Sequence, residues 1–297
     1  MAQRAEMEAR DEKHTPFGPR QRHWGEFTRG IAVFGVLLRF FGLFDRGMRN
    51  ARAIRLREFD VGLASLPPDF DGYRILHITD PHFDGLPGLD EAIVGLVRGP
   101  AIDLVVLTGD YRWRVHGEHR HILPSLQKIV EAVAPRDGFL ATLGNHDPVA
   151  MVEPCERLGL RVLANETITV RRGAGAIHVT GLDDVHYFYT DAAAAALTDA
   201  PSGCKIALVH SPEVAHLAAA AGYALYLCGH THAGQICLPG GQPILTNSAL
   251  HWRHVRGLWR RGRMIGYTSP GAGTSGLPVR FFSRGEVTVI TLRRPRA

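Results

Sequence analysis

The stretch Arg-Ile-Leu-His-Ile-Thr-Asp-Pro-His at residues 74–82 joins a mostly apolar run directly to two side chains that can bind metal ions. Continuous apolar runs of this length are typical of strands buried on both faces of a sheet. The run predicts a strand over Arg74–Thr79, so that Asp80 and His82 lie just beyond its end. On extended chain, residues two positions apart point to the same side. This pair can therefore reach a common site.

The same arrangement recurs along the chain. Five further apolar runs predict strands that each end at a polar block: Ile102–Thr108 at Gly109-Asp110, Gly138–Leu143 at Gly144-Asn145-His146-Asp147, Ile177–Thr180 at Gly181-Leu182-Asp183-Asp184, Lys205–Val209 at His210, and Tyr223–Cys228 at Gly229-His230-Thr231-His232. Helix-period or alanine-rich segments separate several of these runs, at residues 90–97, 121–133, 191–197 and 213–221. Strands that alternate with helices predict an α/β fold.

The chain's last segment carries a different pattern. The apolar runs at 279–282 and 286–292 are joined by Ser-Arg-Gly. Two such runs around a short polar connection predict a closing pair of strands in a hairpin.

The polar blocks together predict a site for two metal ions. Ligands in open α/β sheets collect outside the carboxyl ends of the strands. A mixture of imidazole and carboxylate donors suits Zn, Mn or Fe better than Ca or Mg. Asp110 follows Gly109, whose backbone can turn sharply, so this carboxylate is placed to bridge two cations. Two cations roughly 3.5–4 Å apart bind phosphoryl oxygens and activate a hydroxide at neutral pH, which is phosphoester hydrolysis chemistry.

The cysteines point away from a thiolate site. The chain has four cysteines, and none of them form a C-x-x-C pair: Cys155, Cys204, Cys228 and Cys237. This spacing makes a structural zinc site of the cysteine type improbable. We expect buried, reduced thiols in a cytoplasmic protein.

Taken in order, the blocks Asp80-Pro81-His82, Gly109-Asp110, 144–147, His210 and 229–232 resemble those of the calcineurin-like metallophosphoesterases. The resemblance covers approximately Tyr73 to Leu292. It implies an α/β fold of four layers, with two stacked mixed sheets flanked by helices. It also implies phosphomonoester, phosphodiester or pyrophosphate substrates.

Two further segments look more narrowly like one subgroup of that family. These are Gly-His-Thr-His-Ala-Gly-Gln-Ile-Cys-Leu-Pro at 229–239 and Gly-Thr-Ser-Gly-Leu-Pro-Val-Arg-Phe-Phe at 273–282. The subgroup includes membrane-associated bacterial phosphodiesterases and an alternative UDP-2,3-diacylglucosamine pyrophosphatase.

The resemblance also implies roles for individual side chains. The implied ligands of the first metal are Asp80, His82 and His232, those of the second are Asn145, His210 and His230, and Asp110 bridges the two. His146 would contact the phosphate and protonate the leaving oxygen, and Asp147 would orient His146. The implied cofactors are two divalent ions, with Mn favoured over Fe or Zn.

The segment after the bridging carboxylate departs from the family pattern. Many members have an acid or Asn a few residues after Gly-Asp, whereas this chain has Tyr111-Arg112-Trp113-Arg114. Arg112 and Arg114 are candidates for binding a second phosphate of the substrate. The alternative is a solvated basic loop.

The sequence predicts three regions along the chain. They are a disordered polar tail at 1–19, a basic amphipathic arm at 20–65, and the metallophosphoesterase domain at 66–297. Residues 20–57 hold nine arginines against two acids. The apolar stretch within them has about 15 residues, short of the roughly 20 that a spanning helix needs. It predicts a helix in the interface of an anionic membrane, at its inner face. The alternative is packing on the domain's own surface or on a second subunit.

Three functions follow from these features. The first is a phosphohydrolase for a phosphodiester or pyrophosphate, held at a membrane so that it can take a lipid-linked substrate such as UDP-2,3-diacylglucosamine. The second is a nucleotide or nucleic-acid phosphodiesterase whose basic arm faces phosphates. The third is a non-catalytic metal-binding scaffold. The apolar stretch at 31–44 argues against nucleic acid, and the complete ligand set with His146 argues against the scaffold.

Overall fold

The computed structural model describes residues 1–16, 18–19, 24–244, 246 and 254–295. Its helices are Ala2–Ala9 (α1), Trp24–Phe40 (α2), Phe44–Arg52 (α3), Leu89–Val97 (α4), Leu123–Ala132 (α5), Val152–Arg157 (α6), Asp191–Thr198 (α7) and Ala215–Ala220 (α8). Its strands are His14–Thr15 (β1), Gly18–Pro19 (β2), Arg55–Gly62 (β3), Arg74–Ile78 (β4), Leu104–Thr108 (β5), Phe139–Thr142 (β6), Leu160–Val162 (β7), Glu166–Arg172 (β8), Gly175–Gly181 (β9), Cys204–Leu208 (β10), Leu225–Cys228 (β11), Gly257–Arg261 (β12), Met264–Thr268 (β13) and Glu286–Arg293 (β14).

Most of the strands form two six-stranded sheets. The first has the order β3-β14-β4-β5-β6-β7, and the second has the order β12-β13-β11-β10-β9-β8. Both sheets are mixed. In the first, β14 runs antiparallel to β4 while its other pairs are parallel, and in the second the outer pairs β12–β13 and β8–β9 are antiparallel. The central strands of each sheet are parallel, so their carboxyl ends meet along one edge.

Three large clusters of buried residues define four layers. Val106 and Leu140 of the first sheet face Val179 and Leu208 of the second in one buried cluster between the sheets. A second cluster covers the other face of the first sheet with α4, α5 and α6. A third covers the other face of the second sheet with α7 and α8. The predicted four-layer α/β fold is therefore confirmed. The four cysteines are buried and outside any disulfide, as predicted.

The predicted terminal hairpin is wrong. The strand β14 pairs with β3 on one side and β4 on the other, so both of its edges are occupied. Residues 279–282 are irregular apart from a bridge between Phe281 and Ile236. Val279 is buried, and it lies so close to α3 that a Cβ on Gly47 would be 2.7 Å from its Cβ. The apolar run is thus satisfied by packing rather than by strand pairing.

The N-terminal region differs from its predicted division. Disorder was the expectation for residues 1–19, but Ala2–Ala9 is a helix whose Arg4 and Met7 are buried. The arm predicted over 20–65 contains β3, which belongs to the first sheet, so only α2 and α3 form a separate feature. Polar composition favoured disorder, whereas burial of one arginine and one methionine against the domain orders the helix. Within the described ranges, none of the helices combines the length and apolar character needed to cross a membrane.

Candidate metal centre

The carboxyl ends of five strands converge on one buried cluster. The strands β4, β5 and β6 come from the first sheet, and β10 and β11 come from the second. The cluster contains three overlapping groups whose ligand atoms lie within 4.8 Å of one another: Asp80 with His82 and His232, His82 with Asp110 and His146, and Asp110 with His210 and His230. These groups include six of the seven predicted metal ligands together with His146.

Backbone carbonyls fix the orientation of two of the histidines. His82 Nδ1 lies 2.7 Å from the Arg112 carbonyl oxygen, and His210 Nδ1 lies 2.8 Å from that of Thr108. In each ring Nδ1 must carry the hydrogen, because a carbonyl can only accept. The Nε2 atom of each ring therefore faces the cluster. An outer hydrogen bond of this kind is typical of metal-binding histidines.

The facing nitrogens fit a pair of cations. His82 Nε2 lies 3.2 Å from His232 Nε2, and His210 Nε2 lies 3.1 Å from His230 Nδ1. Two lone pairs at such a distance repel unless a cation or a proton lies between them. Asn145, the seventh predicted ligand, is buried, and its Oδ1 has no hydrogen-bond partner within the described part of the chain. A buried amide oxygen without a hydrogen-bond donor has its lone pairs available to bind a cation.

Asp110 lies at the centre of the cluster. Its Oδ2 is 3.3 Å from His210 Nε2, 3.6 Å from His82 Nε2 and 3.9 Å from His146 Nε2. Burial alone would raise the pKa of Asp110, but the charges of His210 and His146 outweigh it and hold the pKa well below its usual range. Burial raises the pKa of Asp80 to about 6, and the negative charge of Asp110 acts in the same direction. Asp110 is thus the carboxylate that stays ionised most readily.

The backbone is strained at the predicted ligands. Five of them adopt positive φ angles between 41° and 69°, a region that side chains other than glycine avoid: Asp80, His82, Asp110, His230 and His232. Such strain costs on the order of 1 kcal/mol or more at each position and concentrates at functional sites. The fold tolerates it because the strand ends are fixed by the sheets.

The role predicted for Asp147 is corrected by its contacts. Its carboxylate accepts hydrogen bonds from the backbone nitrogens of Asp110, Tyr111 and Gly144, at 2.6, 2.9 and 2.9 Å. The ring of His146 is instead held by the Trp113 carbonyl, 2.6 Å from Nδ1. Asp147 therefore ties together the two loops that carry Asp110 and His146, and within the described part of the chain no hydrogen bond joins it to the imidazole.

The substrate contact predicted for Arg112 is also corrected. Arg112 is buried, and its guanidinium donates to the carbonyl oxygens of His146, Gly117 and Val115. These three hydrogen bonds occupy the guanidinium donors and hold the loop after Asp110 in place. Arg114 is exposed and remains a candidate for substrate contact.

Two buried arginines that no sequence motif indicates hold the loops of the metal centre in place. Arg4 of α1 donates to Asp183 Oδ1 at 2.6 Å, to the carbonyl of Asp147 at 2.5 Å and to that of Gly144 at 3.3 Å. Arg280 donates to the carbonyl oxygens of His232, Pro270 and Gly273, at 3.2, 2.6 and 2.7 Å. Most of their partners are main-chain oxygens, for which no sequence motif exists.

The chain belongs to the calcineurin-like phosphoesterase family. The model of that family matches residues 73–234, which is more than half of the chain and includes every predicted ligand. The protein is accordingly a metallophosphoesterase, a hydrolase whose buried His and Asp groups are consistent with a dinuclear site.

Three bacterial proteins illustrate the relationship. The uncharacterized metallophosphoesterase YkoQ of Bacillus subtilis is 26% identical, over 85% of this chain and 96% of its own length. The uncharacterized metallophosphoesterase YkuE of the same species is 29% identical, over 81% and 86%. The phosphodiesterase YaeI of Escherichia coli is 27% identical, over 74% and 82%. The similarity therefore extends well beyond the ligand blocks.

Proposed function

We propose that the protein hydrolyses a phosphodiester or pyrophosphate bond with two divalent ions, Mn²⁺ being favoured. The observation that carries this proposal is the position of Asp110, whose Oδ2 lies within 3.6 Å of imidazole nitrogens from both ligand groups. In the proposal, Asp80, His82 and His232 hold one ion, Asn145, His210 and His230 hold the other, and Asp110 serves both. Such ions, when bound, supply an activated water and neutralise phosphoryl oxygens.

His146 is the proposed general acid. Its Nδ1 donates to the Trp113 carbonyl, so a second proton on the ring resides on Nε2, which faces Asp110 at 3.9 Å. The side chain is 14% exposed, whereas that of His82 is fully buried, so His146 lies on the open side of the cluster. From there Nε2–H can donate to the leaving oxygen of a bound ester.

A lipid-linked substrate such as UDP-2,3-diacylglucosamine is the proposed substrate class. Support comes from α2, which leaves several large apolar side chains exposed: Val33, Val36, Leu37, Phe40 and, just beyond its end, Phe41. Phe40 is 80% exposed. The opposite side of the helix packs on the domain, since Leu38 is buried and a Cβ on Gly35 would lie 3.1 Å from Leu277. Arginines follow on α3, as suits an anionic membrane interface at its cytoplasmic side.

The catalytic proposal is tested with purified protein and Mn²⁺. The substrates are bis-p-nitrophenyl phosphate, p-nitrophenyl phosphate and a UDP-linked diacyl sugar, with Asp110→Ala as the inactive control. Turnover of the UDP-lipid well above that of the model esters supports the lipid-linked substrate. Activity confined to the model diester removes that substrate and keeps the phosphodiesterase. Two bound metals with no hydrolysis of any ester would count against the proposed reaction.

The membrane contact is tested by vesicle flotation. The variant Val36→Ser with Phe40→Ser removes apolar surface from the exposed face of α2. The control Ile244→Ser changes a side chain that is also exposed, at 61%, but lies in the connection after β11. Loss of flotation in the α2 variant alone supports the contact, and equal flotation of all three proteins contradicts it.

A further inference from the structure

A basic cavity lies beside the metal centre and has no part in the proposed chemistry. Its volume is about 750 Å³, and α3, β3, the start of β12 and the segment before β14 surround it. Five arginines line it: Arg46, Arg55, Arg57, Arg256 and Arg284. A concave surface lined by one sign of charge concentrates ions of the opposite sign.

Only part of this positive charge is neutralised within the protein. Among the described residues of the lining, Glu286 is the one carboxylate, and its oxygens lie 3.0 Å from Arg55 and 3.6 Å from Arg57. Arg256 donates to the Gly241 carbonyl at 2.8 Å. Arg46 and Arg284 are exposed, and neither has an ion-pair or hydrogen-bond partner among the residues that the structure describes. These two guanidinium groups are free to bind an anion, and phosphate matches their paired donors.

The rim of the cavity is apolar and continues the exposed face of α2. Leu43 lies on the rim, two residues after the exposed Phe41. Phe282 lies there too, is 58% exposed, and has a φ of 52°. A bulky aromatic residue in this left-handed region is a clear outlier, and such strain persists only where the surroundings impose it. Here the next residue, Ser283, is buried beside Arg280, which leaves Phe282 pointing to solvent.

One side of the cavity is formed by residues that lie next to the metal centre. Ala233, which follows the predicted ligand His232, is part of the lining, and so is Pro270. Arg280 donates to the carbonyl oxygens of both His232 and Pro270. A molecule in the cavity would therefore lie next to the ligand block without occupying it.

We propose that this cavity binds the headgroup phosphate of an anionic phospholipid, with the acyl part of the lipid along Leu43 and Phe282. A free phosphate would use the arginines but not the apolar rim. A lipid uses both, and it would seat the exposed face of α2 on the bilayer with the metal centre close to the surface. This inference rests on the proposed membrane contact and is independent of which ester the enzyme hydrolyses.

The test is flotation with phosphatidylcholine vesicles, with and without phosphatidylglycerol. The variant is Arg46→Gln with Arg284→Gln. The control is Arg98→Gln with Arg136→Gln, which removes the same charge from exposed positions before β5 and β6, at the edge of the sheet opposite the metal centre. A basic residue near an anionic surface contributes about fivefold to binding, so the variant is expected to lose about 25-fold on phosphatidylglycerol vesicles. The control should lose little.

Each other outcome overturns the inference. Equal loss in both arginine pairs would mean diffuse electrostatic attraction without a site. Binding of glycerol 1-phosphate in calorimetry that depends on Arg46 and Arg284, without a preference for phosphatidylglycerol, would assign the cavity to a soluble phosphate. Failure of wild-type protein to bind either vesicle removes the lipid. Hydrolysis of bis-p-nitrophenyl phosphate by each variant is measured in parallel, so a failure of the catalytic proposal is seen separately.

Discussion

One carboxylate oxygen of Asp147 lies 2.6 Å from the backbone nitrogen of Asp110 and 2.9 Å from that of Gly144. This single oxygen joins the loop after β5 to the loop after β6. The other oxygen accepts from the backbone of Tyr111. Asp110 therefore keeps its strained backbone because a neighbouring loop supplies the acceptor for its N–H group.

Asp147→Asn is expected to destabilise the protein, because the carboxylate of Asp147 accepts three backbone N–H groups. The amide nitrogen of Asn cannot accept, so at least one buried N–H group loses its partner, at a cost of about 1–3 kcal/mol. Urea unfolding measures this loss. An unfolding free energy equal to that of wild type would contradict this linkage between the two loops.

Gly109→Ala is expected to lower the free energy of unfolding far more than the same substitution at another glycine with a similar φ angle. Gly109 has a φ of 89°, and a Cβ there would lie 2.3 Å from the Gly144 nitrogen. Gly222 has a φ of 79° with nothing within 4 Å of its Cβ position. Gly222→Ala thus measures the conformational cost alone, roughly 1–2 kcal/mol. Gly109→Ala should exceed it by about 1–3 kcal/mol of overpacking and should also lower the number of metals bound per chain. Equal unfolding free energies for the two variants would contradict the close approach of these loops.

The strand ends could be predicted from sequence because each rests on a local pattern. The buried strand β5, for example, is a continuous apolar run that stops at Gly109-Asp110, and such runs mark strands covered on both faces. The family resemblance then supplied the pairing of Asp80 with His232, which are 152 positions apart. Convergence of the blocks follows from the parallel order of the central strands.

Other parts of the centre could not be predicted, since they depend on side chains that bind main-chain atoms. The sequence predicts a substrate contact for Arg112, but its guanidinium donates to three carbonyl groups instead. Arg4 lies in a polar segment without any motif. The run at 279–282 has strand composition, yet β3 and β4 had already taken both edges of β14. In each case main-chain groups are among the deciding partners, and a residue pattern does not show which main-chain groups are within reach.

Arg4 is expected to act as a positioning residue for the loop that carries Asn145 and His146. It is 2% exposed, stacks 3.6 Å from the Phe188 ring centre, and donates to carbonyl groups on both sides of that pair. Arg4→Ala should lower kcat about tenfold, equivalent to about 1.4 kcal/mol of barrier, with KM nearly unchanged. The control Arg10→Ala, at the exposed end of the same helix, should keep wild-type kinetics. If both variants behave alike, or if KM alone rises, α1 does not position this loop.

His77 is expected to make the protein lose stability as the pH falls below about 6.5. The ring is buried on β4 with Nε2 2.8 Å from Thr108 Oγ1, and burial lowers its pKa to about 3. Between these two values the unfolded chain binds a proton at His77 and the folded chain does not. The free energy of unfolding therefore falls with decreasing pH, by up to about 1.4 kcal/mol per unit, and this contribution levels off near the folded pKa. The measurement is the difference between wild type and His77→Gln, whose side chain stays neutral, in urea unfolding at pH 7.5, 6 and 5, so that contributions shared by the two proteins cancel. The two proteins should keep a constant difference above pH 7, and wild type should then lose stability faster. Parallel curves down to pH 5 would show that His77 is protonated in the folded protein, and that its buried position beside Thr108 admits a charged ring.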